Sequence, residues 1–142
     1  MIYIRRIGLA AACLAALTNL ALADPSGLWR EQDGGTVRIV RCGSGYCAMI
    51  ASVNPPRDPA TGKPVTDKNN PDPAKRNRPV VGLPVLIGTR PAGPKKWSGR
   101  LYDVDRGQIL PGSLIEVDAT TVRIEGCVGT MCGGEDLTRV SR

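Results

Sequence analysis

The chain has 142 residues and no histidine, and its 19 Lys and Arg against 13 Asp and Glu leave a net charge of +6. That length suits one domain with one modest core. Without histidine it lacks the commonest general base and the commonest metal ligand. Its aromatics beyond position 23 are Trp29, Tyr46, Trp97 and Tyr102, too few for a base-stacking platform, which excludes nucleic acid as a partner.

Residues 1–23 place Arg5 and Arg6 before an apolar run from Ile7 to Leu22 and close on Ala21-Leu22-Ala23. This is the charged, apolar, small-x-small order of a secretory signal. A retained anchor is the alternative, but the run is shorter than the ~20 residues a bilayer span needs. Lipid attachment at Cys13 is disfavoured by the short apolar stretch before it. The domain is therefore expected to cover 24–142, to be periplasmic or secreted, and to have no stable membrane insertion after cleavage. Losing Arg5 and Arg6 lowers the charge from +6 to +4, a mild basic excess with no dense run.

Alternation and turn residues predict eight strands: 27–31, 36–42, 47–53, 83–89, 96–104, 108–117, 120–127 and 135–141. Turns are expected at Asp33-Gly34-Gly35, Gly43-Ser44-Gly45, Asp105-Arg106-Gly107, Asp118-Ala119 and Gly133-Gly134. No sustained helical period interrupts them. The fold class is all-β, an eight-stranded up-and-down antiparallel barrel. A break or bulge is expected at Leu110-Pro111-Gly112.

Residues 54–82 depart from this rhythm. Seven prolines, many charges and few large apolar side chains make the segment one long loop between the third and fourth strands. Asp72 and Pro73 have the chemistry of a helical cap and first position. Asp67, Asn69, Asn70 and Asp72 supply oxygens at close spacing, but Lys68 and Lys75 oppose a cation and the calcium-loop spacing is absent. No metal and no cofactor is expected.

Four cysteines fall in two C-x4-C hairpins, Cys42 with Cys47 and Cys127 with Cys132. In an oxidising compartment they are read as disulfides. Three pairings are possible; the local one fits hairpins that place the two cysteines opposite one another. A four-thiolate zinc site is disfavoured by spacing and compartment.

Gly27-Leu28-Trp29 on the first strand and Thr138-Arg139-Val140 on the last resemble the calycin (lipocalin and avidin) pattern, in which a late arginine lies across the indole. More fully, Asp58-Pro59-x-Thr61-Gly62-Lys63-Pro64, Asp67-x-Asn69-Asn70-Pro71-Asp72, Arg78-Pro79, Trp97-Ser98-Gly99, Tyr102-Asp103 and the two cysteine hairpins resemble the exported bacterial family catalogued as domain of unknown function 2147. The resemblance implies a lipocalin-like barrel and no assigned activity. Facing Cys127 with Cys132 independently sets Ile124, Arg123, Val122 and Thr121 opposite Glu135, Asp136, Leu137 and Thr138. Arg139 then joins the inner set with Leu137 and needs a partner, for which the face of Trp29 serves.

Alternating the turns puts the Cys42 hairpin, Trp29 and Arg139 at a closed end, and loop 54–82 with the Cys127 hairpin at the mouth. A small or anionic ligand is expected at that mouth, with Asp67, Asn69, Asn70, Asp72, Arg76, Arg78, Arg106 and Glu135 as candidate binding residues. The alternative is an envelope interaction module acting through loop 54–82, with a filled core. No Ser-His or Cys-His pair is present and no carboxylate pair is fixed by spacing, so a monomeric, non-enzymatic protein is expected.

Overall fold

The computed structural model describes residues 24–142; the leader reading falls on residues outside this range. Eight strands run in order: β1 (Gly27–Arg30), β2 (Thr36–Cys42), β3 (Gly45–Ser52), β4 (Pro84–Gly93), β5 (Lys96–Asp103), β6 (Gln108–Glu116), β7 (Thr121–Val128) and β8 (Met131–Ser141). Each pairs antiparallel with the next, and β8 returns to β1 to close the barrel. Short turns dictate this meander, since consecutive antiparallel strands need only a hairpin between them.

Inward positions alternate as a two-residue period requires. Trp29, Val37, Ile39, Tyr46, Ala48, Leu86, Trp97, Leu114, Val122 and Leu137 form the core. Each wholly buried aliphatic chain among them contributes about 1.5–3 kcal/mol. The Tyr46 and Trp97 rings meet edge to face with centroids 4.7 Å apart. Trp29 is fully buried, its indole N–H donating to the Pro25 carbonyl at 2.8 Å. The Arg139 guanidinium lies 4.1 Å over that indole. Its N–H groups donate to the carbonyls of Ser26, Ala119 and Asp24 at 2.8, 2.8 and 3.2 Å. One arginine thus ties the first strand, the β6–β7 turn and the start of the described chain together.

The expected β7–β8 register is present pair for pair, from Thr121 with Thr138 to Cys127 with Cys132. The Arg123–Asp136 ion pair on the outer wall is 3.1 Å long. Both local disulfides form, with Cα separations of 5.7 Å for Cys42–Cys47 and 4.0 Å for Cys127–Cys132. Two local expectations need correction. Cys42 pairs with Gly45 and Cys47 with Val40, so the first bridge is diagonal; only Cys127 and Cys132 lie directly opposite. The last hairpin turns between Val128 and Met131, and Gly133 and Gly134 are strand residues. Of the break or bulge expected at Leu110-Pro111-Gly112 the break is found: Pro111 pairs in register with Arg100 on β5, without a bulge, while β6–β7 pairing begins only at Gly112 with Gly126. The proline therefore lies beyond the part of β6 that needs donors on its β7 side.

The segment 53–83 folds over the mouth. Isolated bridges join Arg57 to Pro64 and Thr66 to Pro79, and Pro73–Lys75 forms one 3₁₀ turn. The Asp72 carboxylate caps that turn by accepting from the Ala74 N–H at 3.0 Å, as its residue type led us to expect. Among the described residues, no helix is long and apolar enough to cross a membrane.

Candidate functional site

The barrel is packed at one end and open at the other. At the open end a cavity of ≈ 400 Å³ has walls of Val37, Ile50, Val85, Leu101, Ile124 and Leu137. Val65 and Val80 from the long segment complete its apolar lining. Its rim carries Glu31, Asp33, Asp103, Asp105 and Glu135. A second hollow of ≈ 510 Å³ continues from it past Leu110, Val128, Met131 and Cys132. The two share Leu101, Asp103, Gly126 and Gly133 and form one mouth with two lobes. Glycine makes the junction: a Cβ on Gly126 would sit 3.0 Å from Leu101 Cδ2 and 3.4 Å from Leu110 Cδ1.

The carboxylates reach the rim from two separate turns and one strand. Glu31 and Asp33 leave β1, Asp103 and Asp105 lie at the β5–β6 turn, and Glu135 points inward from β8. The Glu135 Oε2 accepts from the Gln32 N–H at 3.4 Å, which places β8 beside the β1–β2 turn. Burial pushes the Glu31 carboxyl up to about 7, with the nearby Glu135, Asp33 and Asp105 charges adding to the rise. A chain of net positive charge therefore has a negative mouth.

The loop residues expected to bind lie elsewhere and hold the loop down. Asp67 is wholly buried; it accepts from Tyr102 OH at 2.6 Å, from Asn70 Nδ2 at 2.8 Å, and from the Arg78 fork at 2.8 and 2.9 Å. Burial raises its pKa, but the hydrogen bonds from Tyr102, Asn70 and Arg78 outweigh that and hold it below the usual carboxylate range. Asn69 donates to the Asp105 carbonyl at 2.7 Å. There the backbones pack so closely that a Cβ on Gly107, whose φ is 64°, would run into the Asn69 carbonyl. Asn70 Oδ1 accepts from the Asp72 N–H, Asp72 pairs with Lys75 at 3.3 Å, and Arg76 donates to the Asn70 carbonyl. These oxygens serve loop geometry and do not converge on a common point.

Of the expected binding residues, Glu135 lines the main cavity. Arg106 borders the second lobe, mostly exposed and paired with Asp103 at 3.2 Å. No lysine or arginine is among the described residues lining the main cavity. Arg76 and Arg78, expected to read an anionic ligand, do not line the main cavity, and Arg106 borders only the second lobe; the main cavity presents acids, which repel a buried anion. Glu31 and Asp33 escaped notice because nothing in their local sequence marks them; the barrel closure that brings β1 beside β8 makes them neighbours of Glu135.

The fold has a counterpart among solved structures. HP1028 from the human pathogen Helicobacter pylori, a protein of the lipocalin family, is similar with a TM-score of 0.68 and 20% sequence identity. The likeness covers 83% of this chain and 84% of that one. No curated protein matches the sequence. The family described as "Uncharacterized protein conserved in bacteria (DUF2147)" matches residues 27–139, and the chain belongs to this family of lipocalin-like barrels.

Proposed function

We propose that the two-lobed mouth binds a small amphiphile with an apolar body and a cationic, amine-type head. The observation that carries this reading is an apolar cavity whose rim holds five carboxylates and whose described lining has no cation. Apolar walls with a few convergent polar groups are the general form of a small-molecule site. A protonated amine at the rim relieves the mutual repulsion of Glu31, Asp33, Asp105 and Glu135, a gain that neither a neutral nor an anionic head supplies. The reading is one of binding: the cavity's apolar walls and acidic rim suit retention of an amphiphile. The compartment belongs to the proposal too: two disulfides and the apolar leader sequence support an exported protein.

Calorimetric titration with octylamine and with octanoate, below their aggregation limits, tests the ligand class. Octylamine binding at pH 8 at least about tenfold tighter than octanoate, a difference of about 1.4 kcal/mol, supports the proposal. Equal or tighter binding of octanoate overturns the charge preference, and binding of neither overturns the site.

A further inference from the structure

Pairing around the barrel is uneven at the mouth. The β7–β8 ladder extends to Val128 with Met131, whereas β6–β7 pairing stops at Gly112 with Gly126 and β1–β8 pairing stops at Arg30 with Thr138. Beyond these pairs the β7–β8 hairpin is bonded to neither neighbouring strand and forms a two-stranded finger beside the β5–β6 hairpin, which itself continues to Asp103 with Gln108. From Met131 to Leu137 one side of β8 faces no strand, an edge of about 24 Å at 3.4 Å per residue. A barrel otherwise abolishes such edges, because unpaired N–H and C=O groups are a template for another strand.

We infer that this β8 edge accepts an extended basic segment of another protein as an added strand. Strand addition needs backbone access, and Met131, Cys132, Gly133 and Gly134 are all exposed. A Cβ on Gly133 would meet no atom within 4 Å, so a second backbone can approach there. No proline interrupts β8. The neighbouring β1–β2 turn reaches β8 at Glu135, whose side chain accepts from the Gln32 N–H; the exposed part of the edge is Met131 to Gly134, with Glu135 half-buried and Leu137 buried. The Cys127–Cys132 bridge holds the two strands of the finger in register, so the edge is already formed. Charge selects the partner. Glu135 points into the mouth beside Glu31 and Asp33, whereas Asp136 projects outward and is already paired with Arg123 at 3.1 Å, so the carboxylates that meet an added strand are those on its mouth face. Met131, 80% exposed, and Val128, 66% exposed, give its apolar residues a surface at the tip.

The probe is a synthetic octapeptide alternating Lys and Val, added to the intact chain, with hydrogen exchange read peptide by peptide and affinity by calorimetry. The expected result is at least about tenfold slower exchange within 131–137. That protection should be lost when alternate backbone nitrogens of the probe are methylated, and lost when Glu replaces its Lys residues. The variant Glu135→Gln should bind the probe about two- to fivefold more weakly, as one rim ion pair is worth. No protection at saturating peptide, protection confined to residues 54–82, or equal binding of the methylated probe would each overturn the inference. Protection that grows with protein concentration without peptide would overturn it in favour of a second copy of this chain.

Discussion

Arg139 shows how one side chain can set the closed end. Its guanidinium covers the Trp29 indole at 4.1 Å and donates to three carbonyls from two separate parts of the chain. Arg139→Ala removes the stacking and strands those carbonyls, at a cost of about 2–4 kcal/mol. A thermal melt should show a drop of many degrees, and Arg139→Lys, which lacks the planar fork, should recover little of it. Asp67 does the same for the loop. Asp67→Ala leaves Arg78, Tyr102 and Asn70 without their shared acceptor, and should cost about 3 kcal/mol with faster proteolysis between residues 54 and 82. Glu31 is the reverse case, an acid the fold disfavours. Its folded pKa near 7 exceeds the ordinary 4.5, so between these values the folded state holds more protons than the unfolded one. Stability then falls as pH rises from about 4.5 through about 7 and stays reduced above it. Glu31→Gln should raise the melting temperature at pH 8 and leave it nearly unchanged at pH 4.5. Arg139 was legible in the sequence because register alone placed it inside. Glu31 was not, since its pKa depends on residues up to a hundred positions away.

Strands and hairpins were more legible than their ends. The second strand is found over the predicted 36–42, and the β7–β8 pairs follow from facing the two cysteines. Gly133-Gly134 misled because glycine signals both a turn and a strand residue that leaves room for something else; here it leaves the wall of the mouth bare. The cysteine hairpins look alike in sequence and differ in structure. One bridge is diagonal at the closed end, and the other is directly paired at the rim, where Cys132 borders the second lobe. The glycine junction between the lobes yields a test at this scale. Gly126→Val fills the space in front of Leu101 and Leu110, whose side-chain ends can shift. Octylamine affinity should fall at least about tenfold, while the far-ultraviolet circular dichroism stays that of the barrel.

Across the whole molecule, composition gives only a mild basic excess, while topology gathers five carboxylates at the mouth. Net charge is a sum over the surface, whereas a site feels only what the fold gathers around it. The fold class was open to reading because short turns and two-residue alternation leave few ways to close eight strands. The loop residues rich in oxygen and arginine looked like a site because polar density alone cannot distinguish a ligand cradle from a loop that folds on itself. The proposed function turns on an amine head held by the mouth carboxylates. The most direct test is the structure of the complex with octylamine, grown at pH 8. The amine nitrogen is expected within about 3 Å of Glu31 and Glu135 oxygens, with the chain against Ile124 and Leu137. An alkyl chain bound on the outer wall or under the loop, or an amine turned out to solvent with its tail buried, would contradict it.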